Sequence, residues 1–144
     1  MTGEFAIAVH ALVFLNRRGE TVNSETLADN VCTHPARLRG VMAKLKNAGL
    51  VDTKEGMEGG YAFRKDPAQV TLRQICDALN VKLVSASWRS GSVDKPCMIS
   101  SGMADVMDDL YSQMDALGRE YLSHITIADI DRQIFSGKEK GASA

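Results

Sequence analysis

LKNAGLVDTKEGMEGGYAF, residues 45–63, is the stretch on which the fold turns. Its glycines either bring backbone up to a phosphate or let a hairpin bend. A phosphate-cradling loop needs a strand, then Gly-x-x-x-x-Gly-Lys-Ser/Thr, then a helix. Here a basic helical run stops at Ala48-Gly49, with Gly49 suited to a left-handed helix cap. Leu50-Val51-Asp52-Thr53 and Tyr61-Ala62-Phe63-Arg64 then read as two short strands, and Gly56, Gly59 and Gly60 lie between them. Gly60 is followed by Tyr61, not by Lys. The glycines serve a hairpin.

Upstream, residues 3–17 place Phe5, Val9, Leu12 and Val13, with Ala6 and Ala8, at helical spacing, and Arg17-Arg18-Gly19 ends that helix. Asn23 or Ser24 caps a short second helix, SETLADNV. Cys32-Thr33-His34 make a tight turn, and Pro35 suits the first position of a third helix because no N–H is needed there. In that helix Leu38, Val41, Met42 and Leu45 recur at i, i+3, i+4 and i+7, leaving Arg37, Arg39, Gly40, Lys44 and Lys46 around the rest. Three helices followed by a two-stranded hairpin predict a winged helix-turn-helix. That arrangement lays its third helix in the DNA major groove. The wing then reaches the neighbouring backbone or minor groove.

Downstream, Asp66-Pro67 breaks the chain, and VTLRQICDALN carries Val70, Leu72, Ile75, Cys76 and Leu79 at helical spacing. Residues 82–100 lack a clean period and contain Gly91 and Pro96; they read as loop with one short strand in KLVSAS. A long helix is expected from Ser101 to about Ser123. Met103, Met107, Leu110, Met114, Leu117 and Tyr121 form a heptad seam along it, the pattern of a dimerisation helix. Packing on its own chain is the alternative. TIADIDRQIF reads as a short amphipathic helix from Thr126, and GKEKGASA as a disordered polar tail. The expected fold class is mainly α with a small β-hairpin. Its parts are a winged domain (1–80), a linker or sensor loop (81–100), dimerisation helices (101–136) and a tail (137–144).

The chain of 144 residues is 44% hydrophobic and 24% charged, as an ordinary soluble globular protein is. No apolar run approaches the roughly 20 residues that span a bilayer. The apolar N-terminus carries Glu4 and His10 and reads as a helix, not a signal peptide. Three cysteines at 32, 76 and 97 make no disulfide framework, so a cytoplasmic protein is expected. The net charge of −1 conceals an asymmetry: net +2 over residues 1–65 and −5 over 101–136. Residues 34–48 hold Arg37, Arg39, Lys44 and Lys46 and no acid, either an electrostatic footprint for a polyanion or a solvated helix face.

These residues also carry a family resemblance. Arg37-Leu38-Arg39, the run Leu45-Lys46-Asn47-Ala48-Gly49-Leu50-Val51, Gly56 and above all Gly59-Gly60-Tyr61 resemble the Rrf-two family of bacterial transcription regulators, the family of IscR, NsrR and CymR. Val70-Thr71-Leu72 and Thr126-Ile127-Ala128-Asp129-Ile130 fit it too, and the likeness spans about residues 3–135. It implies a homodimer whose long helices pair and whose winged domains bind a two-fold-related operator in double-stranded DNA. It also implies a signal read between wing and long helix, often by three cysteines holding an iron–sulfur cluster. Between residues 80 and 102 this chain has only Cys97, and such a cluster needs thiolates close together. No cluster, metal or other cofactor is expected.

For DNA contact the first turns of the third helix offer Thr33, His34, Arg37 and Arg39, arginine being best suited to guanine or phosphate. Lys44 and Lys46 read as backbone clamps or solvated charges. In the wing Lys54 can touch phosphate; Glu55 and Glu58 repel it, which leaves backbone N–H groups at Gly56, Gly59 and Gly60. Cys76 reads as a small buried hydrophobe. Cys32, near a helix N-terminus, and Cys97, in a polar loop, are redox-sensing candidates, singly or bridged, with inert thiols as the other reading. The alternative is a small organic effector near the hinge, where Trp88, Tyr111 and the methionine seam either line a pocket or pack. An enzyme using Cys97 would need a histidine base, and His10, His34 and His124 have no orienting group in sight. A winged-helix module that binds protein and not DNA is the remaining rival.

Overall fold

The computed structural model describes residues 3–140. Along the chain come α1 (Glu4–Arg18), α2 (Ser24–Val31), α3 (Pro35–Asn47), β1 (Asp52–Lys54), β2 (Gly60–Ala62), α4 (Leu72–Leu79), α5 (Met98–Leu122) and α6 (Ile127–Lys140). The stripe read in α3 is the centre of the core: Leu38, Val41, Met42 and Leu45 are fully buried. Burial of each such side chain stabilises by about 1.5–3 kcal/mol. Ala8, Ala11, Leu12 and Leu15 of α1 and Leu27 and Ala28 of α2 meet them.

Local chemistry sets the helix ends. The Asn23 side chain accepts from the Thr26 N–H at 2.8 Å and starts α2. Cys32 ends it in the left-handed region, φ 64. His34 caps α3, its Nδ1 accepting from the Ala36 N–H at 3.1 Å. Thr71 and Gln74 form a capping box at the start of α4.

β1 and β2 pair antiparallel, with Asp52 opposite Ala62, Thr53 opposite Tyr61 and Lys54 opposite Gly60. Val22 adds a third edge, exchanging two 2.8 Å backbone hydrogen bonds with Tyr61. The strands are shifted from the expected spans. Leu50 donates its N–H to Leu45 O, which turns Leu50 and Val51 into the core before β1 begins. The Gly-Gly pair is required by close approach. A Cβ on Gly59 would lie 2.3 Å from Lys54 O, and one on Gly60 (φ 154) would lie 2.1 Å from Val22 O.

The short strand expected in residues 82–87 does not form. Leu83 and Val84 instead donate their N–H groups to Asp115 Oδ1, at 2.6 and 3.0 Å. α5 begins at Met98, earlier than Ser101, because Cys97 follows Pro96 in extended backbone and takes the N-cap position. It buries none of its 25 residues. The expected seam divides. Met103 and Met107 are half-buried beside residues 86–90, whereas Leu110, Met114, Leu117 and Tyr121 face outward.

After α5 the chain returns to the winged domain. Leu72 donates to Ile125 O at 2.8 Å, Ile127 donates to Val70 O at 3.0 Å, and the Ile127 side chain is fully buried. α6 packs on α1, where Arg17 bonds Asp131 at 3.1 Å and covers the Phe135 ring. It continues past Gly137, where the tail was expected to start; the rest of that tail, residues 141–144, lies outside the described residues. Among the described residues no helix is long and apolar enough to cross a membrane.

Candidate nucleic-acid interface

A groove of about 620 Å³ runs between α3, the wing and the start of α2. Arg39, Ala43 and Lys46 form its α3 side, spaced i, i+4 and i+7. Thr53, Lys54, Glu55, Gly56 and Met57, with Gly59, Gly60 and Tyr61, form the wing side, and Asn23, Ser24 and Glu25 close the end, so two acids share the lining with its three cations. Among the described residues no carboxylate lies within 4 Å of the charged ends of Arg39, Lys46 or Lys54. Burial pushes the Tyr61 phenol up and the charge of Arg39, which lines the same groove, pulls it back.

The structure therefore divides the residues singled out from sequence. Arg39, Lys46, Lys54, Gly59 and Gly60 share the groove. Thr33 and His34 sit at the turn into α3, where the His34 ring is committed to its cap. Arg37 and Lys44 turn toward α1. Lys44 Nζ meets both Glu4 oxygens, at 3.2 and 3.1 Å. The Arg37 guanidinium lies against Gly3, where an added Cβ would sit 2.7 Å from it. In the wing, the Gly59 N–H donates to Gly56 O at 3.0 Å and is used within the tip. Sequence reasoning missed Ser24, Ala43 and Tyr61. The i, i+4, i+7 spacing through Arg39 held the signal for Ala43.

The cysteines differ in setting. Cys76 is buried, its Sγ donates to Val81 O at 3.5 Å, and burial pushes its thiol up. Cys32 is exposed, but it caps the carbonyl end of α2, with Sγ 3.5 Å from Asp29 O. The helix N-terminus expected for it belongs to His34. Cys97 does occupy such an end: the N–H groups of Ser100 and Ile99 at the start of α5 hold its exposed thiol below the usual value.

A buried three-helix core, a paired wing and a cationic groove between α3 and wing define a winged helix-turn-helix regulator, here carrying a long C-terminal helix. The chain belongs to the Rrf2 family, described as iron-dependent transcriptional regulators, whose pattern matches residues 1–133. YwnA of Bacillus subtilis (strain 168), provisionally named an HTH-type transcriptional regulator, is 22% identical over 94% of this chain and 99% of its own length. The crystal structure of a provisionally named transcriptional regulator from Lactobacillus plantarum superposes with a TM-score of 0.82, at 23% identity, over 99% of both chains. T. potens IscR superposes with a TM-score of 0.67, at 20% identity, over 93% of this chain and 87% of its own. The family and these relatives are regulators of transcription, not enzymes.

The iron in the family's description does not fit the donors here. Cys32 ends α2, Cys76 is buried in α4 and Cys97 precedes α5. Among the described residues no three His, Cys, Asp or Glu side chains converge on a metal-sized site.

Proposed function

We propose that the chain is a homodimeric repressor that binds a two-fold-related operator in double-stranded DNA and releases it when Cys97 or Cys32 is oxidised. The observation that carries the DNA reading is the groove itself, where Arg39, Lys46 and Lys54 outnumber Glu25 and Glu55 and, among the described residues, none of the three is ion-paired within 4 Å. Arg39 reaches base edges, Lys46 and Lys54 reach phosphates, and the N-terminus of α2 faces a further phosphate. The outward stripe of α5 supports self-association. Repression is the plainer outcome, since occupancy of the operator suffices for it.

The redox step begins at Cys97, whose exposed thiol ionises more readily than an ordinary cysteine. The thiolate attacks the distal oxygen of a hydroperoxide, becoming sulfenic acid as the O–O bond breaks and an alcohol or water leaves. A second thiol, that of Cys32 or of a small cellular thiol, then displaces water to form a disulfide. The peroxide has taken two electrons, one from each sulfur. A disulfide at Cys32 strains the turn into α3, which positions Arg39.

The test is retention of purified protein on DNA upstream of its own gene, reduced and then peroxide-treated, with Cys32→Ser and Cys97→Ser alongside. Release of the wild type but not of one serine variant identifies the sensing thiol. Equal retention before and after oxidation removes redox control and leaves control by a small organic ligand, a second reading favoured by a cavity beside α5.

A further inference from the structure

Residues 83–92 form an arch over α5. One foot is fixed where Leu83 and Val84 donate to Asp115 Oδ1. The other is fixed where Ser92 donates its N–H to Ser100 O at 2.9 Å. Gly91 (φ 72) approaches that same carbonyl so closely that a Cβ would lie 2.0 Å from it. Beneath the arch lies a cavity of about 440 Å³, lined among others by Lys82, Ser85, Tyr111 and Ser112. A second cavity of about 230 Å³ adjoins it, sharing Ala86, Arg89, Asp108 and Tyr111, and reaches Trp88, Met103 and Met107. The larger one falls within the range of roughly 300–1,000 Å³ typical of small-molecule sites.

The lining has a polar end and an apolar end, and its charges are unevenly matched. Arg89 is held by Asp105 at 3.1 Å and Asp108 at 2.8 Å. Asp115 is answered by Arg119 at 2.9 Å and by the two arch N–H groups. Lys82 is the cation of this lining with no carboxylate within 4 Å among the described residues. Ser85 and Ser112 add hydroxyl donors to the lining it belongs to, while Trp88, Tyr111, Met103 and Met107 offer flat or pliable apolar surface.

We propose that the space under this arch binds a small amphipathic carboxylate, its acid at Lys82 and its apolar part against Trp88, Tyr111 and the two methionines. The inference rests on the ligand-controlled reading above and gives that ligand its chemistry. A route to the winged domain adjoins the site. Asp115 lines the cavity, its partner Arg119 bonds Asp77 of α4 at 2.6 Å, and α4 packs on α3.

Trp88 is the chain's single tryptophan, so its emission reports on the site without a label. The full chain is titrated with 3-phenylpropionate and hexanoate, and with their neutral amides, without DNA. A saturable change is expected with at least one acid, about tenfold weaker with its amide, as the loss of a charge-assisted contact implies. Lys82→Gln should erase that difference while leaving the weaker apolar binding. No saturable change with any of the four probes, or equal affinity of acid and amide in the wild type, overturns the proposal. Retention on DNA with the bound acid separates the two ideas. If the acid binds by Lys82 but releases no DNA, the site stands and the ligand-controlled reading falls.

Discussion

Asp115 Oδ2 lies 2.9 Å from Arg119 Nε, one turn along α5, and each partner of this pair fastens a different element. Asp115 receives the N–H groups of Leu83 and Val84, and Arg119 reaches Asp77 of α4 and the carbonyl of Val81. A helix that buries none of its own residues is thereby tied to the winged domain by polar bonds. Asp115→Ala leaves both arch N–H groups and Arg119 without their carboxylate. It should cost about 1.5–3 kcal/mol of stability, the worth of hydrogen bonds to a charged group. Urea unfolding measures it, and a loss below a few tenths would contradict this role for the pair.

The same carboxylate should make stability acid-sensitive. The Val84 N–H first, then Arg119, hold the Asp115 carboxyl below the usual aspartate value, against some opposing burial. A depressed folded pKa means the unfolded state takes up its proton first as pH falls. The contribution is therefore full above the ordinary value of about 3.9 and disappears as pH drops through the folded one. Asp115→Asn should be less stable near neutrality and lose less on acidification. Parallel unfolding curves from pH 7 to pH 3 for both proteins would count against it.

In DNA binding, the groove predicts unequal roles for neighbouring cations. Arg39→Ala should weaken specific binding by about 1–3 kcal/mol and relax preference at one base pair, as loss of a bidentate guanine contact does. Lys46→Ala should weaken all sequences evenly and lower the salt slope by about one. Lys44→Ala should leave the slope unchanged, because Glu4 already answers that charge. Fluorescence anisotropy over a salt series distinguishes the three. A full unit lost at Lys44 would reverse the assignment.

The α3 stripe was legible because helical period and burial coincide at Leu38, Val41, Met42 and Leu45. The bond from Asp115 to Leu83 and Val84 was not, since it joins positions 31 and 32 residues apart and periodicity carries only local information. Lys44 and Lys46 looked equivalent for the same reason: only the position of α1 shows that Glu4 covers one of them. The Gly59-Gly60 turn was readable as a hairpin, whereas its close approach to Val22 required the third edge. The heptad spacing of α5 likewise could not tell a partner helix from residues 86–90, which take up Met103 and Met107.

Two glycines give opposite expectations for the same change. Gly40 lies inside α3 with open space where a Cβ would stand, so Gly40→Ala should stabilise by about 0.5–1 kcal/mol. Gly60→Ala drives a methyl into Val22 O at a positive φ and should cost more than about 1 kcal/mol, with the wing disturbed first. Thermal unfolding compares them. Equal effects of the two would mean that close packing at Val22 does not determine the wing.

The outward stripe of α5 makes a prediction about assembly that is separable from folding. Leu110 is 52% exposed and Leu117 71% exposed, with Val106, Met114 and Tyr121 on the same side. Charged substitutions at such exposed positions usually change the stability of a monomer by no more than about 0.5 kcal/mol. At the centre of a helix-pairing interface they should cost about 2 kcal/mol or more, a shift of roughly thirtyfold in the dissociation constant. Leu110→Glu and Leu117→Glu should therefore convert a dimer to a monomer of 15.6 kDa in sedimentation equilibrium. Far-UV circular dichroism of the monomer should keep its helical signal, and binding to a two-fold-related DNA site should lose its steepness in protein concentration. A wild type that sediments as a monomer at micromolar concentration, or variants that remain dimeric, would assign this stripe to some other partner.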